Sequence, residues 1–175
     1  VASQIKTHEK WGGVIPETGI IRESYLTRMR RYSKTGEVLV LNGVRRSGKT
    51  TLLLQLLVDI LKTEQINPRK MLFVSFDEPA FSSIQNPVEE ILSRYHADIC
   101  PDEDGYLFFD EIQQTTGWEQ WVKALYDRKK YHLVISGSSS YLLEKKTASL
   151  FSGRYLQVPV FPLTFREFLT FSDYP

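Results

Sequence analysis

The sequence predicts an α/β domain: a parallel sheet with helices on both faces. Short apolar, β-branched stretches alternate with stretches of helical spacing along the 175 residues, the order expected of strand–helix–strand units. The strand stretches are apolar at consecutive positions, as strands buried on both faces must be. A glycine-bounded loop joins the first of them to an apolar helix.

The elements follow in order. Residues 24–32 read as a helix in which Tyr25, Met29 and Tyr32 are loosely periodic. Residues 37–41, EVLVL, form a strand ending in Asn42-Gly43. From Lys49 the series Leu52, Leu53, Leu56, Leu57, Ile60, Leu61 keeps helical spacing to about Lys62. Asn67-Pro68 breaks the chain before a second strand, residues 71–76. Pro87 opens a helix carrying Val88, Ile91 and Leu92, and Asp102 to Gly105 turns into a third strand, 106–109. Trp118, Trp121, Val122 and Leu125 mark an amphipathic helix, more a core face than a base-stacking platform. Residues 132–136 form a fourth strand, Ser138 to Ser140 can cap a helix with Leu142 and Leu143, and 155–160 form a fifth strand. Residues 164–168 close with a short helical turn. Residues 1–35 are thus a lead-in segment and 36–175 one domain.

Bulk properties narrow the function. The apolar fraction of 42% and charged fraction of 25% are those of a globular chain. A net charge of +1 gives no electrostatic footprint for nucleic acid, so any such contact is expected from a region outside this chain. The single Cys100 reads as a small apolar residue and suits a reducing compartment. His8, His96 and His132 lack metal-ligand spacing. No run of about eighteen apolar residues predicts a membrane span, and residues 1–10 lack a signal-peptide core, so a cytoplasmic protein is expected. A start at Val1 and an end at Pro175, just after an aromatic-rich stretch, suggest a piece of a longer or processed protein.

Gly43-Val44-Arg45-Arg46-Ser47-Gly48-Lys49-Thr50 fits G-x-x-x-x-G-K-[ST] at every defined position, between a strand and a helix. Glycines let backbone amides converge on a β-phosphate, and the helix that opens at Lys49 adds its positive end. Lys49 can bridge β- and γ-phosphate oxygens. Thr50 offers a hydroxyl to magnesium, and Thr51 completes the binding stretch. Arg45 and Arg46 read as solvated loop cations, with phosphate or partner contact the other role.

Tyr106-Leu107-Phe108-Phe109-Asp110-Glu111 is a buried strand ending in two acids at the sheet's carboxyl edge, where such folds bind ligands. Asp110 is the candidate magnesium ligand, and Glu111 the candidate base that orients and deprotonates water. This pairing favours hydrolysis over kinase chemistry. The lack of an Asn-Lys-x-Asp stretch favours ATP over a guanine nucleotide. Asp77, ending the second strand, reads equally as a rim residue or a turn former. Ser136 and Ser138 are candidates to contact the γ-phosphate or the attacking water if the fourth strand lies beside the first and third; helix capping is the other account of the serine run. Arg154 is open to an arginine-finger role, on its own nucleotide or a neighbour's, or to a structural ion pair.

With these residues in view, the chain resembles the ATPase domain of a prokaryotic AAA-superfamily group, the AAA-14 type, commonly fused to a DUF4143 region. The likeness runs through residues 40–53, 106–113, Trp118-Glu119-Gln120-Trp121, residues 135–139 and Ser152-Gly153-Arg154. It closes on Phe161-Pro162-Leu163-Thr164-Phe165-Arg166-Glu167-Phe168-Leu169, the most specific stretch, so that it spans roughly residues 20–171. The resemblance implies a RecA-like ASCE sheet of the P-loop NTPase kind, with Asp110 and Glu111 as metal acid and base. It also implies a Ser136–Ser138 sensor and Arg154 in the finger position. By the same analogy Ile21, Arg22 and Tyr25 are adenine-side residues. ATP and magnesium are the expected ligands, with a C-terminal region absent here and a homo-oligomer as further expected partners. A regulatory switch with negligible turnover and a P-loop kinase are the alternatives to an ATPase, and a DNA-binding module is the weakest.

Overall fold

The computed structural model describes residues 18–81, 84–102, 104–138 and 153–172. Helix α1 (Glu23–Ser33) leads into β1 (Val38–Gly43), and α2 (Lys49–Thr63) follows the glycine loop. Then come β2 (Met71–Ser75), α3 (Pro87–Asp98), β3 (Gly105–Asp110), α4 (Trp118–Asp127) and β4 (Tyr131–Gly137). β5 (Tyr155–Val160) and a short α5 (Phe165–Phe171) complete the described chain. The expected helix carrying Leu142 and Leu143 lies outside the described residues, as do Ser139 and Ser140.

All four strand pairings are parallel, in the order β2-β3-β4-β1-β5. The fourth strand therefore does lie between the first and third. Alternation along each strand feeds two separate cores. Val38, Val40, Leu107, Phe109, Leu133 and Ile135 face α3 and α4, where Val88, Ile91, Tyr95, Trp118 and Val122 meet them. Leu39, Leu41, Phe108, Val134, Val158 and Val160 face α1 and α2. This explains the unbroken apolar runs, since both strand faces are covered.

α2 contributes Leu52, Leu53, Leu56 and Leu57, each no more than 1% exposed. At about 1.5–3 kcal/mol per buried leucine, this face holds the helix, and hence Lys49 at its start, against the sheet. Trp118 is buried and Trp121 packs against the same core, so both are core residues as expected. In α1 the buried positions are Leu26, Met29 and Ser33; of the expected series Met29 is fully buried, and Tyr25 and Tyr32 pack against the same core at its margin. No helix of the described residues is long and apolar enough to cross a membrane.

Candidate nucleotide site

The strand order decides what meets at the carboxyl edge. β1 ends at Gly43 and β3 at Asp110, with the end of β4 between them. Gly43 is required by a close approach: a Cβ there would run into the Val160 carbonyl of β5 and sit 2.8 Å from Ser47 Oγ. Gly48 adopts φ +92° as it turns the loop into α2, a conformation that favours glycine. Arg46 has φ +65° and, with Val44 and Arg45, is exposed. Ser47 is buried, Thr50 and Thr51 are exposed on the first turn of α2, and Lys49 is buried.

The Lys49 ammonium lies under the loop. Nζ donates to the carbonyls of Gly43 (3.2 Å) and Val44 (3.3 Å) and pairs with Glu111 Oε1 at 3.2 Å. Across from it, Thr50 Oγ1 donates to Asp110 Oδ2 at 2.7 Å. The two residues expected to share a magnesium ion are thus brought together from elements far apart in sequence.

Ser136 carries a role the sequence did not show. Its hydroxyl donates to Asp110 Oδ1 and accepts the Glu111 N–H at 3.2 Å. That hydroxyl braces the acid pair from the strand between β3 and β1. Ser138 follows β4 on the same edge and is partly buried.

Glu111 sits at φ +51°, ψ +42°, the left-handed region, which costs a non-glycine residue about 1 kcal/mol or more. The bend turns its carboxylate back towards Lys49 rather than along the strand. Gln113, which sequence reasoning passed over, donates from Nε2 to Glu111 Oε2 at 2.5 Å. Its Oε1 is buried without a partner, as are Asn42 Oδ1 and Ser47 Oγ beside the loop. The signal was a glutamine two residues beyond Glu111, placed to reach back to it.

Burial pushes the Asp110 carboxyl above its ordinary range; the hydrogen bonds from Ser136 and Thr50 pull the other way, and Glu111 adds to the rise. A raised folded pKa favours the fold below the ordinary carboxyl value, and that advantage is lost as pH rises through the folded one. Asp110→Asn, which cannot ionise, should match the parent in melting temperature at acid pH and exceed it near neutral pH. Thermal melts across that range check it; a variant less stable than the parent at neutral pH overturns the account.

Arg154 is placed elsewhere. It precedes β5, its carbonyl accepts the Val38 N–H at the start of β1 (3.0 Å), and Nη1 lies 3.7 Å from Asp127. This is the amino edge of the sheet, a strand length of roughly 17 Å from the glycine loop at ~3.3 Å per residue. Within one chain Arg154 lies at the edge away from the loop and beside Asp127, the structural ion pair that the sequence left open.

The adenine-side candidates divide. Arg22 and Tyr25 line an open cavity of about 490 Å³ with Arg28, Phe161, Pro162 and Glu167, beside the phosphate loop. Ile21 is 52% exposed and is not among the residues lining it. Asp77 follows β2 on the same edge and is exposed.

Magnesium can be tested against this donor set. A hydroxyl and a carboxylate are hard oxygen donors, and magnesium commonly takes few protein ligands, completing its shell with phosphates and water. Among the described residues no group of three or more His, Cys, Asp or Glu could hold a metal by itself. Thr50 and Asp110 therefore fit an ion that arrives with a phosphate ligand.

A family model described as an AAA domain, AAA_14, matches residues 35–169. An uncharacterized protein of Haemophilus influenzae is 34% identical over 150 residues, which are 86% of this chain and 37% of that protein. The uncharacterized protein MJ1544 of Methanocaldococcus jannaschii is 33% identical over 138 residues, 79% of this chain and 29% of its own. The chain thus spans only about a third of the length of these relatives. In fold it is similar to Saccharomyces cerevisiae Hsp104 in its ADP complex, with a TM-score of 0.64 at 15% identity over 97% of this chain and 26% of that one. The matched region runs from the foot of β1 to the last helix and contains the whole loop and both acids, and on that match the chain belongs to the AAA_14 family of AAA domains.

Proposed function

We propose that this chain is the magnesium-dependent ATP-binding and ATP-hydrolysing domain of a longer protein. The observation that carries the reading is the meeting of Lys49, Thr50, Asp110 and Glu111 at one sheet edge. The likeness in fold to a protein solved as an ADP complex is in keeping with a nucleotide ligand.

The loop amides and the start of α2 bind the β-phosphate, and Lys49 neutralises charge shared between the β- and γ-phosphates. Thr50 and Asp110 would hold magnesium, which when bound supplies charge stabilisation across the phosphate oxygens. Ser136 keeps Asp110 and the Glu111 backbone in register. Glu111 orients a water and takes its proton; the resulting hydroxide attacks the γ-phosphorus as the bond to the ADP oxygen breaks. Gln113 sets the direction of the Glu111 carboxylate. Tyr25 and Arg22, lining the cavity beside the loop, support the adenine side there.

The exposure of Arg154 (43% of its side chain) at the edge remote from its own loop supports a role in trans, completing the site of a neighbouring copy. The test is the ATP hydrolysis rate per protomer, with magnesium, over a wide protein concentration range. The rate should climb with concentration, and Arg154→Ala should remove the climb while leaving ATP affinity unchanged. A rate flat and near zero at every concentration would instead favour a switch that binds ATP and changes its contacts without turnover.

A further inference from the structure

One guanidinium ties three distant segments together. Arg22, just ahead of α1, is 6% exposed. Its Nη1 donates to the Ser47 carbonyl of the phosphate loop (3.2 Å) and to the Phe161 carbonyl after β5 (3.1 Å). Nε and Nη2 make a two-pronged pair with Glu167 of α5, at 2.9 and 3.2 Å. Behind it, the Arg22 N–H donates to Gln55 Oε1 of α2 (3.3 Å), and Gln55 Nε2 holds the Thr18 and Ile20 carbonyls at 3.0 and 2.9 Å. The Tyr25 ring covers the guanidinium at 4.3 Å, and its hydroxyl accepts the Phe161 N–H at 3.1 Å.

Glu167 is committed from both sides. Its carboxylate accepts from Arg22 and from the Thr164 N–H (2.8 Å) and hydroxyl (3.0 Å), closing a capping box at the start of α5. These donors, Arg22 foremost, hold its pKa down to about 2. Yet no residue of α5 is buried, so apolar packing does little to hold this helix to the domain. Its attachment is polar, and it runs through the same guanidinium that holds the Ser47 carbonyl.

We infer that Arg22 is a positioning residue for the phosphate loop and Glu167 the brace that aims it, so that filling the loop and docking α5 are linked. The inference rests on the loop being a phosphate grip. Ser47 immediately precedes Gly48 and Lys49, so a displaced Ser47 carbonyl changes the turn that presents the loop's amides. A guanidinium released from Glu167 has no fixed direction from which to hold that carbonyl. Linkage is reciprocal: whatever orders the loop must also favour the docked helix.

The test is hydrogen exchange on the whole chain with and without magnesium pyrophosphate, which carries the phosphates but no base to enter the cavity beside Glu167. Pyrophosphate should slow exchange in the loop, residues 43–51, and also in α5. In Glu167→Gln the loop should still respond while α5 does not, and pyrophosphate should bind about 5- to 150-fold more weakly, the usual size of such a coupling. A merely structural pair would lower the melting temperature of Glu167→Gln and leave the pyrophosphate affinity unchanged. Loop protection without any α5 response in the parent protein overturns the inference and leaves the grip standing. Absence of loop protection overturns both. The parent measurement decides even if the variant fails to fold.

Discussion

Lys49→Ala is expected to abolish ATP binding over the concentration range in which the parent protein saturates. The ammonium is 3% exposed and sits below the loop, held by two loop carbonyls and Glu111. A charge so placed is already desolvated and lies under the loop, where an entering polyphosphate exchanges its present partners for phosphate oxygens. Truncating one partner of a buried charged pair costs about 2–5 kcal/mol, so the dissociation constant should rise by roughly two orders of magnitude or more. Titration calorimetry with ATP and magnesium measures it, and circular dichroism checks that the fold survives. Unchanged affinity in a folded variant would sink the phosphate-grip reading and everything built upon it.

The second large effect belongs to Glu111→Gln, which should bind ATP and cease to turn it over. General-base catalysis contributes about 10²- to 10⁴-fold, and an amide cannot accept the water's proton at neutral pH. The structure adds a sign to the binding side. In the parent, Glu111 is an anion 3.2 Å from the ammonium that the phosphates need. Removing that charge takes away a competitor for Lys49, so ATP should bind the variant at least as tightly as the parent. Single-turnover hydrolysis and equilibrium binding on the same preparation separate the two quantities. Hydrolysis at the parent rate would remove Glu111 from the base role.

Legibility in the sequence followed the distance between interacting residues. The phosphate loop was readable because its glycines, lysine and threonine fall within one short stretch, and local geometry alone gives them their chemistry. The sheet was readable because two covered faces leave unbroken apolar runs such as Leu107 to Phe109. The Ser136 brace was not, because its meaning depends on β4 lying between β3 and β1, and strand order is not written in any one strand. Arg154 shows the same limit: its residue type suits a finger, but only the parallel pairing of β5 with β1 puts it at the amino edge. The Arg22–Glu167 pair joins residues 145 positions apart, beyond any local pattern. What the sequence did offer there was the Phe-Pro-Leu-Thr-Phe-x-Glu stretch, whose threonine and glutamate prove to be a capping box.

The contact between Gly43 and the Val160 carbonyl bears on how the protein is made. Ribosomes deliver β1 and its glycine loop early, but the strand that walls the loop, β5, emerges near the end of the described chain. A nascent chain that has reached only β4 carries every letter of the loop and lacks one side of it. A ligand of the loop could therefore help fold this domain only after β5 has added its edge and the loop has acquired its shape. Until then the early strands must be kept from pairing wrongly by their own helices or by chaperones.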